Sequence, residues 1–278
     1  MGIRTVGRLG RRWSDAAGSI WRNREIIKSF VVRDIVGRYR GSFGGLLWSL
    51  INPLLMLAMY TFVFAVVFKA RWSSAAPDNG VSFAVVLFVG LIVHGFLAEC
   101  LTRSPRLLIE HANFVKKVVF PLEVLPIITV GVALFHAGIS LIVLFAALLF
   151  FGNPVHATAL LLPVVIAPFV LLTLGLTWFV AALGVYIRDI GQVIGLLTTM
   201  MLFLSPVFYP LSALPEGLRG LVLFNPLTLP IEQLRDILIW RRLPDWNALA
   251  AYYVLALAMV SFGYWWFQRS RKGFADVL

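Results

Sequence analysis

The 278-residue chain is 60% hydrophobic and only 13% charged, with a mean hydropathy of +0.89 that a water-soluble domain of ordinary composition does not reach. Its net charge of +11 would suit nucleic acid in a soluble protein, but the cations lie between long apolar runs, where they orient a membrane chain, so no nucleic-acid partner is expected. A single cysteine, Cys100, excludes an intrachain disulfide, and no Cys/His cluster has metal-ligand spacing, so neither redox nor metal chemistry is expected.

The first forty residues are Arg-rich and lack the apolar core of a secretory signal, so the N terminus is expected to stay in the mature protein. Residues 17–40 are predicted to form an amphipathic helix lying on the cytoplasmic membrane surface. Ile20, Ile27, Val31 and Ile35 mark one side, and Arg22, Lys28, Arg33 and Arg40 are among the polar positions. Gly41-Ser42-Phe43-Gly44-Gly45 supplies the backbone freedom for a sharp turn into the first span.

A bilayer crossing takes roughly 20 apolar residues, and six such spans are predicted, at 46–68, 82–101, 122–150, 158–185, 191–210 and 246–268. In the first, Trp48, Asn52, Met56, Tyr60, Phe64 and Phe68 recur every fourth residue and so share one helix face, and Pro53 removes a backbone donor and invites a kink. A substrate path, helix packing and lipid contact all account for such a stripe. Glu99 closes the second span and is expected at the interface beside Arg103. Residues 107–118 then read as a short amphipathic cytoplasmic helix ended by Pro121, either a docking element or a loop held inside by Lys116 and Lys117.

Gly152-Asn153-Pro154 divides a double-length apolar run into the third and fourth spans. Asp189 beside Arg188 reads as an ion pair, and Gly191-x-x-x-Gly195 as a chance spacing. Six prolines between Ser205 and Trp246 interrupt the pattern. The pieces at about 215–224 and 228–240 are apolar but too short to span, so 211–240 is read as a re-entrant extracellular helical hairpin or a lid on the outer surface. The expected fold class is therefore an all-α integral membrane protein in one domain, 1–278.

Alternate loops differ sharply in charge. The N-terminal segment, the 102–121 and 185–191 loops and the tail carry 18 of the 24 Lys and Arg residues, which predicts that both termini are cytoplasmic. Motifs for chemistry are missing: none of the five lysines follows a glycine, so there is no P-loop, and neither H-E-x-x-H nor G-x-S-x-G occurs.

The chain resembles the transmembrane subunit of type-2 ABC exporters, in the branch that exports O-antigen, capsule and teichoic acid. The resemblance is carried by Arg33-Asp34, Arg38-Tyr39-Arg40-Gly41-Ser42, Gly45-Leu46-Leu47-Trp48-Ser49 and Asn52-Pro53. Further on it is carried by Asn113-Phe114-Val115-Lys116-Lys117, Phe120-Pro121, Tyr186-x-Arg188-Asp189, Ser205-Pro206, Tyr209-Pro210, Asn225-Pro226 and Phe274-Ala275-Asp276. It implies a homodimer in a bacterial inner membrane, paired with two copies of a separate ATPase that holds the ATP and magnesium, with no cofactor on this chain. It also implies ATPase coupling through Arg33, Asp34, Asn113, Phe114, Lys116 and Lys117, and an outer gate at 211–240.

In similar proteins a lipid-linked glycan, carried on undecaprenyl diphosphate, passes along an aromatic channel. Tyr and Trp suit it because they meet the apolar faces of sugar rings and keep one polar handle. Trp48, Tyr60, Phe64 and Tyr209 are the channel candidates, and Arg33, Arg38 and Arg40 the candidate phosphate contacts, although anionic membrane lipid would also attract those arginines. Export of a small lipid or drug is the nearest alternative reading. A polyprenyl-sugar membrane enzyme would need clustered acidic or histidine residues, whereas those here are scattered singly.

Overall fold

A computed structural model describes residues 18, 21–69, 72, 83–115 and 120–278. Every regular element among them is helical. In chain order these are α1 (Arg24–Tyr39), α2 (Trp48–Tyr60, passing into a π-helical stretch Thr61–Val67), α3 (Phe83–Arg103), α4 (Leu107–Glu110), α5 (Ala112–Val115) and α6 (Val124–Phe150). There follow α7 (Leu162–Tyr186), α8 (Ile190–Leu204), α9 (Glu216–Leu223), α10 (Thr228–Arg235, continued by π-helical Asp236–Trp240), α11 (Trp246–Ser270) and α12 (Phe274–Val277). Helix is what an apolar chain must form in lipid, because only then are its backbone N–H and C=O groups paired within each segment.

Among the described residues, five stretches are long and apolar enough to cross a membrane: Gly45–Phe64, Phe83–Glu110, Val124–Phe150, Ala157–Tyr186 and Trp246–Val277. The segment expected to span at 191–210 differs. Its helix stops at Leu204, because Pro206 and Pro210 cannot donate to a continuing ladder. The expected single helix over 107–118 also differs. It is broken at His111, whose ψ of 27° turns the chain between α4 and α5, and residues 116–118 lie outside the described residues. Both glycine turns form as expected: Gly41, Gly45 and Gly152 take φ of +84°, +50° and +75°, values that a residue without Cβ adopts at little cost.

Helix α3 is the centre of the bundle. Val85, Val86, Leu87 and Cys100 on it are wholly buried, and α6, α7, α8 and α10 pack around it. The closest helix crossing lies between α7 and α11, where a Cβ on Gly263 would stand 2.0 Å from the Gly175 carbonyl oxygen. Neither glycine belongs to a G-x-x-x-G spacing, whereas a Cβ on Gly195, in the one such spacing noted, would meet nothing within 4 Å. A second close approach seats Pro105 on α7, since a Cβ on Gly184 would lie 2.1 Å from the Pro105 carbonyl oxygen. Helix α1 lays Ile27, Val31 and Ile35 on the bundle, with Val31 meeting α6 at Gly131. These three members of the expected apolar stripe are therefore packed on protein, and Ile20 lies outside the described residues.

These approaches set opposite outcomes for two glycine substitutions, read as thermal unfolding in detergent. Gly263→Val should destabilise by at least about 1–3 kcal/mol through overpacking. Gly195→Ala should be neutral or stabilising by up to about 1 kcal/mol, the helix preference of Ala over Gly.

Candidate functional site

The loop between α3 and α6 and the helix α1 meet through rings. Phe114 stacks on Phe120 with centroids 4.6 Å apart and planes at 19°, and Phe30 of α1 lies 5.9 Å from Phe114 and 5.8 Å from Phe120. The Arg33 guanidinium sits 4.0 Å over the Phe30 ring while it donates to Asp34 at 3.2 Å. Arg33, Asp34 and Phe114, chosen for coupling, thus belong to one continuous surface unit beside the exposed Asn113. Lys116 and Lys117 lie outside the described residues.

The C-terminal end closes against the same region. Arg271 donates to Glu123 Oε2 at 2.9 Å, the Tyr186 hydroxyl donates to the Ser270 carbonyl at 2.8 Å, and Phe274 is buried. Arg188 and Asp189, expected to pair, are both exposed and form no ion pair with each other.

A cavity of about 430 Å³ opens between α1, α2, α3 and α6. Asn52, Met56 and Tyr60 of the α2 stripe line it, opposite Phe88, Leu91 and Ile92 of α3. Its polar floor is a compact cluster. The Glu99 carboxylate takes a short contact from Arg38 Nη1, lies 2.9 Å from His136 Nδ1, and is 3.8 Å from Arg103 Nη1. With hydrogen on His136 Nδ1, its Nε2 accepts the Tyr39 hydroxyl at 3.2 Å. Glu99 and His136 are mostly buried, at 17% and 16% side-chain exposure, whereas Arg38 keeps 47%. Burying a carboxylate is tolerable only with such charge-assisted partners.

Opposite this floor a second arginine is fully enclosed. Arg235 of α10 donates from Nε to the Val86 carbonyl at 3.1 Å, from Nη1 to the Pro206 carbonyl at 2.6 Å and from Nη2 to the Val207 carbonyl at 3.1 Å. It also pairs with Glu232 at 2.9 Å and places its guanidinium 4.2 Å from the Trp72 ring centroid. Pro206 accepts because the helix has just ended there, so one side chain joins α10, α3 and the break after α8.

Of the four channel candidates, Tyr60 lines the cavity. Phe64 stacks on Phe83 at 5.2 Å, Trp48 folds its indole against Gly44, and the Tyr209 hydroxyl donates to the Phe203 carbonyl at 3.2 Å. Among the phosphate candidates Arg38 is held by Glu99, Arg33 by Asp34, and Arg40 is exposed at the end of α1. Sequence reasoning missed His136 and Arg235. An ionisable residue within the apolar 122–150 run is the signal for His136; Glu99 does lie beside Arg103 as expected, at 3.8 Å, but its nearer partners are Arg38 and His136.

The described residues form a multi-pass helical membrane protein with a mixed polar and aromatic cavity between its helices. The sequence pattern of the ABC-2 type transporter family matches residues 25–239, and the chain belongs to that family. It is 31% identical over 264 residues to the O-antigen export system permease protein RfbA of Myxococcus xanthus, covering 92% of this chain and 96% of that one. An O-antigen export system permease protein RfbA of Klebsiella pneumoniae is 26% identical over 247 residues, covering 88% and 92%. The family makes this chain a transport subunit that works with an ABC ATPase.

Arg235→Met keeps comparable bulk but takes the donor from the Pro206 and Val207 carbonyls, which lie outside the helix ladders, and cuts the tie to Val86. Unfolding in detergent should show a loss of about 3 kcal/mol or more, the order expected when several buried acceptors lose their donor.

Proposed function

We propose that the chain is the channel-forming subunit of an ATP-driven exporter that carries a lipid-linked polysaccharide, on undecaprenyl diphosphate, across a bacterial inner membrane. The similarity to a protein named as an O-antigen export permease, over 92% of this chain and 96% of that relative, carries the reading. The cavity supports it. Tyr60 and Phe88 offer ring faces to sugar C–H surfaces while Asn52 and Ser140 offer polar contacts, so a glycan is held weakly at many points and keeps moving.

In this reading two copies pair with two copies of a separate ATPase, which binds the ATP and magnesium. Exposed Leu54, Leu55, Phe62 and Val66 on α2 leave an apolar face for the second copy or for lipid. Both termini are cytoplasmic, as the distribution of Lys and Arg supports. Helix α8, about 22 Å long at 1.5 Å per residue, crosses as the sixth span when the irregular 205–210 segment completes the ~30 Å core. The 211–240 segment acts as the outer gate. Its second leg is buried, with Ile231 and Ile237 wholly covered, while Leu223 and Phe224 at the turn remain exposed.

ATPase movement enters through Arg33, Asp34, Asn113, Phe114, Lys116 and Lys117. The ring cluster of Phe30, Phe114 and Phe120 makes α1 and the loop move as one body, so a push on the loop reaches the floor of the cavity. Trp48, Tyr60, Phe64 and Tyr209 border the glycan path, and Arg33, Arg38 and Arg40 meet the lipid phosphates at its entrance.

Deleting the chain in its native host should remove the polysaccharide from the cell surface and accumulate lipid-linked glycan inside. A Lys116→Glu/Lys117→Glu variant should reach normal membrane levels yet export roughly tenfold less or lower, the scale of a charge reversal at an interface. Normal surface glycan in the deletion strain would remove this function, and normal export by the double variant would remove the docking site.

A further inference from the structure

The geometry points to Glu99 as a built-in competitor for the diphosphate of the lipid carrier: it occupies, at Arg38, the place that a phosphate-bearing lipid headgroup takes when substrate enters. This inference rests on the lipid-linked substrate proposed above and adds the site and its control. Arg38 and His136, the latter at 2.9 Å, donate to the Glu99 carboxylate, and the Arg103 guanidinium stands at ion-pair distance, 3.8 Å. Two guanidiniums against one carboxylate leave an unbalanced positive charge beside the floor of the cavity.

The rest of the floor suits an anion with more acceptor oxygens than a carboxylate. Asn52 lines the same cavity beside Arg38 and has a side-chain amide to donate, while the Ser140 and Tyr39 hydroxyls there donate to the carbonyl and the ring of His136. Arg38 is half exposed while Glu99 is mostly covered, so a headgroup reaches the guanidinium without first moving Glu99. His136 is a positioning residue. It is tied to Glu99 on one ring nitrogen and to Tyr39 on the other, so it keeps the carboxylate within reach of Arg38 and holds the end of α1 against α6.

Displacement then has a mechanical consequence. The Arg38–Glu99 contact joins α1 to α3, and a diphosphate that takes over Arg38 releases that joint. Substrate arrival is thereby reported on the same helix that carries the Arg33–Phe30–Phe114 surface toward the ATPase.

The test uses the complex of this chain with its ATPase in phosphatidylcholine nanodiscs, titrated with undecaprenyl diphosphate or, separately, with phosphatidylglycerol, and read by native mass spectrometry. Glu99→Gln removes the competing charge and should tighten undecaprenyl diphosphate binding roughly tenfold, and Arg38→Gln should weaken it by at least that factor, as charge-assisted contacts dictate. Phosphatidylglycerol should show neither effect.

Should a variant fold poorly, the unmodified complex still decides the matter, because undecaprenyl diphosphate should speed amide exchange over residues 33–40. Binding that is insensitive to both substitutions, or unchanged exchange, overturns the competitor role alone. Equal sensitivity with phosphatidylglycerol makes this an ordinary lipid-headgroup site and overturns the diphosphate assignment. No binding of undecaprenyl diphosphate by the native complex overturns the lipid-linked substrate itself.

Discussion

A guanidinium enclosed by apolar helices must have its donors paired where it stands, and Arg235 makes four such bonds, to backbone oxygens of two separate segments, α3 and the stretch after α8, and to Glu232 of its own helix. The Val86 carbonyl, inside the continuous α3 helix, accepts from Arg235 through its second lone pair, and the Pro206 and Val207 carbonyls are available because α8 has ended. The requirement runs both ways: α10 cannot leave the bundle without stranding a charge, and the break after Leu204 cannot refold as helix without withdrawing two acceptors. The irregular 205–240 region is thus fixed by one polar constraint as much as by the burial of Ile231, Leu234 and Ile237.

The opposite end of α3 carries the counterpart. Val86 and Glu99 lie 13 residues apart on one straight helix, about 20 Å at the rise of an α-helix. At one end Arg235 binds the 211–240 segment, and at the other Arg38 binds the interface helix. The two arginines differ in exposure, 1% against 47%, and that difference assigns their roles. A buried cation with four acceptors is a permanent fastening, whereas a half-exposed one with a single strong partner is exchangeable. The cavity and its aromatic wall lie between a fixed joint and a movable one.

Much of this was legible in the sequence. Apolar runs and turn glycines place α1, α2, α3, α6, α7 and α11, because in lipid the hydrophobic signal and the helical requirement coincide. The Arg33–Asp34 and Asn113–Phe114 motifs lie together in space as well as in the family pattern. What stayed hidden depends on distances across the chain. His136 is 37 residues from Glu99, and Arg235 is 149 from Val86, so neither partnership leaves a local period. Glu99 has a cation four residues on, and that local pairing masked the distant one. The Gly175–Gly263 crossing is likewise invisible to a search for spaced glycines, since each helix contributes one. The shortened α8 reflects two prolines whose effect outweighs the apolar run around them.

The central claim is that this chain is a conduit driven from outside itself, with no transport capacity of its own. Its most direct measurement is transfer of a radiolabelled undecaprenyl-diphosphate-linked glycan into sealed proteoliposomes, comparing the chain alone with the chain plus its ATPase, with and without ATP. The account predicts luminal glycan only with both subunits and ATP. Transfer by the chain alone, or ATP hydrolysis by the full complex with no glycan delivered, would contradict it.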